Sequence, residues 1–133
     1  MTQLHLKVVS EATPDQVWDR ISDFYSIHTW QPLMTATTPD PEHADARRMT
    51  LADGGTAVEQ LIEQTGRSCH YRLLSGPVPV RDYEAVLAVH DNPQGAGALI
   101  TWDATFEPEG VDEDTAVAVM TGILQTGLDA LAR

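Results

Sequence analysis

The chain has 133 residues, 42% of them hydrophobic, and its 20 acidic against 8 basic side chains set a formal charge of −12. That length suits one packed domain, residues 1–133, and the even spread of apolar residues excludes general disorder. The negative field argues against nucleic acid or an anionic membrane as a partner, and the single cysteine, Cys69, cannot close an internal disulfide.

Leu4, Leu6 and Val8 alternate with His5, Lys7 and Val9, the period-two signal of a strand with one buried face. Thr13-Pro14-Asp15-Gln16 supplies a capping box and a proline at the first helical position, opening a short helix with Val17, Trp18 and Ile21 on its apolar side. Ser22-Asp23 predicts the cap of a second short helix running towards Trp30. Pro32, Pro39 and Pro41 make residues 31–45 an irregular loop with an edge strand near Met34 to Thr37. A run of strands follows: Arg47 to Leu51, Thr56 to Gln64 across the Asp53-Gly54-Gly55 hairpin signal, Ser68 to Leu74, Val80 to His90 and Ala98 to Phe106. After Pro108 and Gly110 the period changes. Asp112, Glu113 and Asp114 mark a helix N-terminus, and Val117, Met120, Leu124, Leu128 and Leu131 predict one amphipathic helix of about 20 residues. Gly122 and Gly127 are read as points where this helix nears another backbone or leaves room for a ligand.

The expected architecture is α+β: a curved antiparallel sheet of six to seven strands wrapped around the long C-terminal helix, with two short helices after strand 1, a helix-grip fold. Only the last helix is long enough to cover the sheet, and with so few large side chains between them a cavity is expected. No stretch approaches the roughly 18 consecutive apolar residues of a membrane span. The opening residues also lack the basic and apolar regions of a secretory signal, so the expected location is the cytoplasm, without membrane insertion.

Ala12-Thr13-Pro14-Asp15-Gln16-Val17-Trp18, Ile21-Ser22-Asp23-Phe24 and Trp30-Gln31-Pro32 together resemble the opening of the SRPBCC superfamily in its polyketide cyclase/dehydrase branch, similar in fold to START domains. Val58-Glu59-Gln60-Leu61, Tyr71-Arg72-Leu73, Gly76-Pro77-Val78-Pro79-Val80, Thr101-Trp102-Asp103-Ala104-Thr105-Phe106 and Gly127-Leu128-Asp129-Ala130-Leu131 extend the resemblance over nearly the whole chain. It implies the fold and a hydrophobic ligand. It names no substrate, because the superfamily includes carriers, receptors and cyclases.

Strand parity turns Ile100, Trp102, Ala104 and Phe106 inward, with Tyr83, Ala85, Leu87 and Val89 beside them and Tyr71 and Leu73 beyond. The expected cavity wall therefore carries Tyr71, Tyr83, Trp102, Leu73 and Met49, with Trp30 and His28 near the mouth and Met120 and Leu124 on the helix. Flat rings supply contact area and phenols supply orientation, although plain core packing explains the same residues. Glu59 is the sharpest candidate. Facing inward with Ala57 and Leu61, it would be desolvated, with a raised pKa suited to general acid or base catalysis. An ion pair with Arg47 or Arg48, or exposure, is the competing reading, since Val58 and Ile62 are apolar on the opposite parity. The catalytic candidates are thus Glu59, Tyr71 and Tyr83.

The five histidines lack metal-ligand spacing, so no metal is expected, and no cofactor-binding fingerprint occurs. Lys7, the only lysine, lies in the first strand, which leaves internal Schiff-base chemistry without support. Cys69 is expected to be buried and inert by parity with Tyr71. The leading expectation is a cofactor-independent, lyase-like biosynthetic enzyme that cyclises, dehydrates or cycloadds a polyketide-type metabolite by holding it in a reactive fold. A non-catalytic carrier or sensor is the alternative. A third reading is an interaction domain in which Trp30 and the proline-rich loop meet a partner or a second copy, as in a homodimer.

Overall fold

Residues 1–133 are described by a computed structural model. In chain order the elements are β1 (Thr2–Ser10), α1 (Pro14–Ile21), a 3-10 helix (Phe24–Thr29), β2 (Met34–Pro39), β3 (Ala46–Leu51), β4 (Thr56–Gln64), β5 (Ser68–Ser75), β6 (Val80–Asp91), β7 (Ala98–Pro108) and α2 (Glu113–Ala132). The seven strands form one antiparallel sheet in the order β1-β7-β6-β5-β4-β3-β2. Each hairpin from β2 to β7 pairs with the next, and β1 closes on β7 with Leu6 opposite Trp102. The expected helix-grip architecture is the one observed, with element ends moved by a residue or two.

Local chemistry accounts for the elements. Thr13 caps α1 through the predicted box, its hydroxyl accepting from Gln16 N while the Gln16 side chain accepts from Thr13 N. Asp23 caps the second short helix by accepting from Tyr25 N at 3.0 Å. That helix is 3-10 rather than α because Ser26 leaves helical angles and kinks it. The proline-rich loop holds the edge strand β2, whose last residue, Pro39, lacks the N–H that a central strand would need.

Two kinds of device shape the sheet. In β6 the register with β7 shifts between Arg81 and Glu84, and Asp82 adopts a left-handed φ of 52°. This bulge resets strand parity, so that Val80 and Tyr83, an odd number of residues apart, both point inward. In β4 the register with β5 shifts at Val58/Glu59 and again at Leu61/Glu63. Ala57 and Glu59, two residues apart, face the core by ordinary alternation, and Ile62, on the opposite parity, is left exposed.

Helix α2 is fixed at both ends. Asp112 caps it by accepting from Thr115 N at 2.8 Å, and Thr2 of β1 donates to Glu113 at 2.8 Å. At the far end Arg20 of α1 donates to the carbonyls of Ala130 and Leu131, at 3.2 and 3.4 Å, adding to the one capping bond that Arg133 N makes to Ala130 O. Midway, the buried Gln31 donates to Ile123 O at 3.2 Å. The helix is long and apolar enough to cross a membrane by length and composition, with a mean hydropathy of 1.3. Here its Ala116, Met120, Leu124, Leu128 and Leu131 face is buried in the core that it shares with the sheet.

The two helix glycines differ. Gly127 packs so closely that an added Cβ would stand 2.6 Å from Gln31 Nε2, 2.8 Å from Trp102 and 3.2 Å from Trp30. Side chains rather than another backbone make that approach. Gly122 is exposed and has nothing within 4 Å, so no close approach is made at this position.

Candidate functional site

Between the concave sheet and the middle of α2 lies a cavity of about 300 Å³, lined by 20 residues of which 16 are hydrophobic. Its mouth is framed by Leu33 and Met34, by Ala52 and Asp53 in the β3–β4 turn, by Gly76 to Val78 between β5 and β6, and by Val119 and Ile123 of α2. Its wall carries Met49, Leu73, Tyr71, Tyr83, Trp102, Met120 and Leu124, and Glu59 is among the lining residues.

Two expected residues lie elsewhere. Trp30 is 6% exposed and packs on Trp102 at 5.9 Å between ring centroids, so it supports the wall from behind. This burial also removes it as an exposed contact for a partner. His28 is half-buried, its Nδ1 2.8 Å from Thr37 Oγ1, and it ties the 3-10 helix to β2 instead of reaching the cavity. Both follow from the kinked 3-10 helix, which turns Ile27 rather than His28 towards the hollow.

Glu59 is inward, and its carboxylate is paired. Arg47 Nε and Nη2 donate to Glu59 Oε1 at 3.0 and 2.7 Å, and Arg47 Nη1 donates to Phe24 O at 2.9 Å. The guanidinium also lies 3.9 Å from the Phe24 ring centroid and 5.2 Å from that of Tyr71. The two side chains are 6% and 11% exposed, so this is a buried ion pair of the kind whose desolvation is offset only by close geometry and added hydrogen bonds. Both contacts fall on Oε1. Oε2 has no protein partner and is not sealed from solvent space, so it opens on the cavity that Glu59 lines.

Beside this pair the aromatic residues form a chain. Trp102 Nε1 donates to Tyr71 Oη at 3.0 Å, Tyr71 and Tyr83 lie 6.3 Å apart, and Tyr83 stacks on Phe106 at 6.3 Å. Burial first, and then the neighbouring phenol and Glu59, push the Tyr71 hydroxyl well above its ordinary range. Burial and then Glu59 raise Tyr83 likewise, partly offset by its hydrogen bond with Tyr71 and by Arg47. Both phenols are therefore neutral donors at physiological pH. Cys69 is buried behind them, and desolvation raises its thiol to about 11, which leaves almost no reactive thiolate at neutral pH.

The raised phenols make a pH prediction. A group whose folded pKa exceeds its unfolded value contributes stability that is complete below the unfolded pKa and lost as pH rises through the folded one. For Tyr71 and Tyr83 the loss begins near the ordinary value of 10.0. In an alkaline titration, the tyrosinate absorbance of these two residues should appear only together with loss of the far-ultraviolet circular dichroism signal. Two tyrosinates formed at full native signal would contradict their burial.

A hollow closed by a helix, with apolar walls and a few convergent polar groups, defines a binding protein for a hydrophobic small molecule. The chain belongs to the family of polyketide cyclases/dehydrases and lipid transport proteins, which it matches over residues 1–133. It is similar to the protein XoxI from Bacillus cereus, with 28% identity and a TM-score of 0.92 over 99% of this chain and 94% of that one. A START superfamily protein from Mycobacterium smegmatis shares the fold at 15% identity, with a TM-score of 0.79 over 98% of this chain and 94% of that one. The chain is also 27% identical over 117 residues to the N-(5'-phosphoribosyl)anthranilate isomerase of Thermococcus kodakarensis, covering 85% of this chain. It spans about half the length of that curated relative, 53%.

Sequence reading missed the mouth. Leu33, Pro77, Val78, Val119 and Ile123 line it, and they sit in turns or on a helix flank where neither strand parity nor the main apolar stripe points to them. Leu51, on the same face of β3 as Met49, was within reach of parity. Half-exposed apolar residues beside Gly76-Pro77 were the available signal.

Proposed function

We propose that residues 1–133, as one domain, enclose a hydrophobic polyketide-type or related metabolite and promote its cyclisation, dehydration or cycloaddition without a cofactor. The observation that carries this reading is the union in one cavity of apolar walls with the Glu59 carboxylate and the neutral phenols of Tyr71 and Tyr83. Holding a flexible chain in a reactive fold can supply roughly 7–11 kcal/mol in the best intramolecular cases. A positioned acid or base adds about 10²- to 10⁴-fold. Tyr83, as a neutral donor, would polarise a carbonyl, and Glu59 Oε2 would accept a proton. Phosphoribosyl chemistry of the isomerase kind has less support, because no lysine, arginine or histidine lines the cavity to meet a phosphate. The buried, unpaired Cys69 supports a reducing, cytoplasmic setting.

Native mass spectrometry of the purified protein tests this. Wild type should retain a small hydrophobic molecule that Ala57→Phe excludes, since Ala57 is a buried lining residue whose enlargement fills the hollow. On incubation, the retained molecule should give an isomer or a product lighter by one water, and Glu59→Gln and Tyr71→Phe should slow that conversion. A molecule that is retained but never altered would make the protein a carrier.

A further inference from the structure

The floor of the cavity holds one acceptor and one donor that the protein leaves unused. Glu59 is 8% exposed, its Oε1 is taken by Arg47, and its Oε2 opens inward without a partner. Tyr83 is 3% exposed and lines the same space; in its hydrogen bond with Tyr71 it is the acceptor, which leaves its own hydroxyl proton free. A ligand that covered these two atoms with carbon would strand both, at the full desolvation cost of each.

The surroundings narrow the chemistry. Arg47 already balances the carboxylate, so an ammonium group would gain little from it, and an anionic ligand would meet Glu59 and Asp53 with no basic side chain in the lining. At the interior packing density of about 0.75, a hollow of this volume accepts on the order of a dozen heavy atoms. That admits one ring or two fused rings and excludes a diacyl lipid.

We propose that the ligand is a neutral, one- or two-ring molecule bearing a phenolic or enolic hydroxyl, which donates to Glu59 Oε2 and accepts from Tyr83 Oη at the cavity floor. This rests on the reading above that the cavity holds a hydrophobic molecule. One hydroxyl satisfies both idle groups, and a site built to hydrogen-bond such a group discriminates strongly against analogues that lack it.

The test compares two isosteres, naphthalen-2-ol and 2-methylnaphthalene, titrated into wild type, Tyr83→Phe and Glu59→Gln, with binding followed by naphthalene fluorescence. Tyr83→Phe should weaken naphthalen-2-ol about tenfold or more while moving 2-methylnaphthalene by less than about twofold, and Glu59→Gln should act in the same direction. Should Glu59→Gln fail to fold, Tyr83→Phe decides alone. If wild type binds both probes and the variants change them alike, hydroxyl recognition is overturned and the hydrophobic cavity stands. If wild type binds neither probe, the cavity reading falls as well.

Discussion

Arg47→Met should destabilise the fold by about 3–5 kcal/mol, the usual consequence of leaving one member of a buried ion pair without its partner. Three losses coincide. Glu59 Oε1 loses both of its donors, Phe24 O loses the donor that anchors the 3-10 helix, and the Phe24 ring loses the cation lying 3.9 Å from its centroid. The double variant Arg47→Met/Glu59→Leu should recover part of this, because removing a whole pair spares the uncompensated charge. Recovery should stay incomplete, since Phe24 O is still unpaired. Urea unfolding of the three proteins at neutral pH measures it, and a single variant within about 1 kcal/mol of wild type would show that the pair contributes no more than a surface contact.

Gly127→Leu should prevent formation of the native state, while Gly122→Ala in the same helix should raise stability by about 0.5–1 kcal/mol. At Gly127 the first added carbon already overlaps Trp102 and Gln31, and neither can retreat. Trp102 is held by its bond to Tyr71 and Gln31 by its bond to Ile123 O. Even Gly127→Ala should lose more to overpacking, typically 1–3 kcal/mol, than the roughly 1 kcal/mol that alanine gains in helix propensity. At Gly122 only the propensity gain remains, because nothing is there to strike. Thermal unfolding of Gly122→Ala and Gly127→Ala should shift the midpoint in opposite directions, and shifts of the same sign would contradict the packing described here.

Much of this was legible in the chain itself, for identifiable reasons. The capping box at Thr13, the hairpin signal at Asp53-Gly54-Gly55 and the apolar spacing of α2 are local chemistry, and each lies where it was read. The inward set on β5, β6 and β7 followed from period-two parity, because those strands bury one face over most of their length. Parity could not say how Glu59 faced, since Val58 and Ile62 offered the opposite answer. Pairing settles it: β4 runs against β3 without a shift and sets Glu59 opposite the buried Arg47, and a partner strand is something a one-dimensional pattern does not contain. Trp30 and His28 were misplaced at the mouth for a related reason. A 3-10 helix kinked at Ser26 does not project its side chains at α-helical spacing.

The Arg47–Glu59 pair has a consequence for how a guest is chosen. The chain carries twelve more negative than positive groups, yet the basic member of this pair cancels the acidic one inside the hollow, so the interior is electrically quiet beneath a strongly anionic exterior. Coulomb attraction therefore contributes little to what lodges there. Admission is governed by contour and by the matching of single protons to single lone pairs, criteria that stay silent until the visitor is already within touching distance.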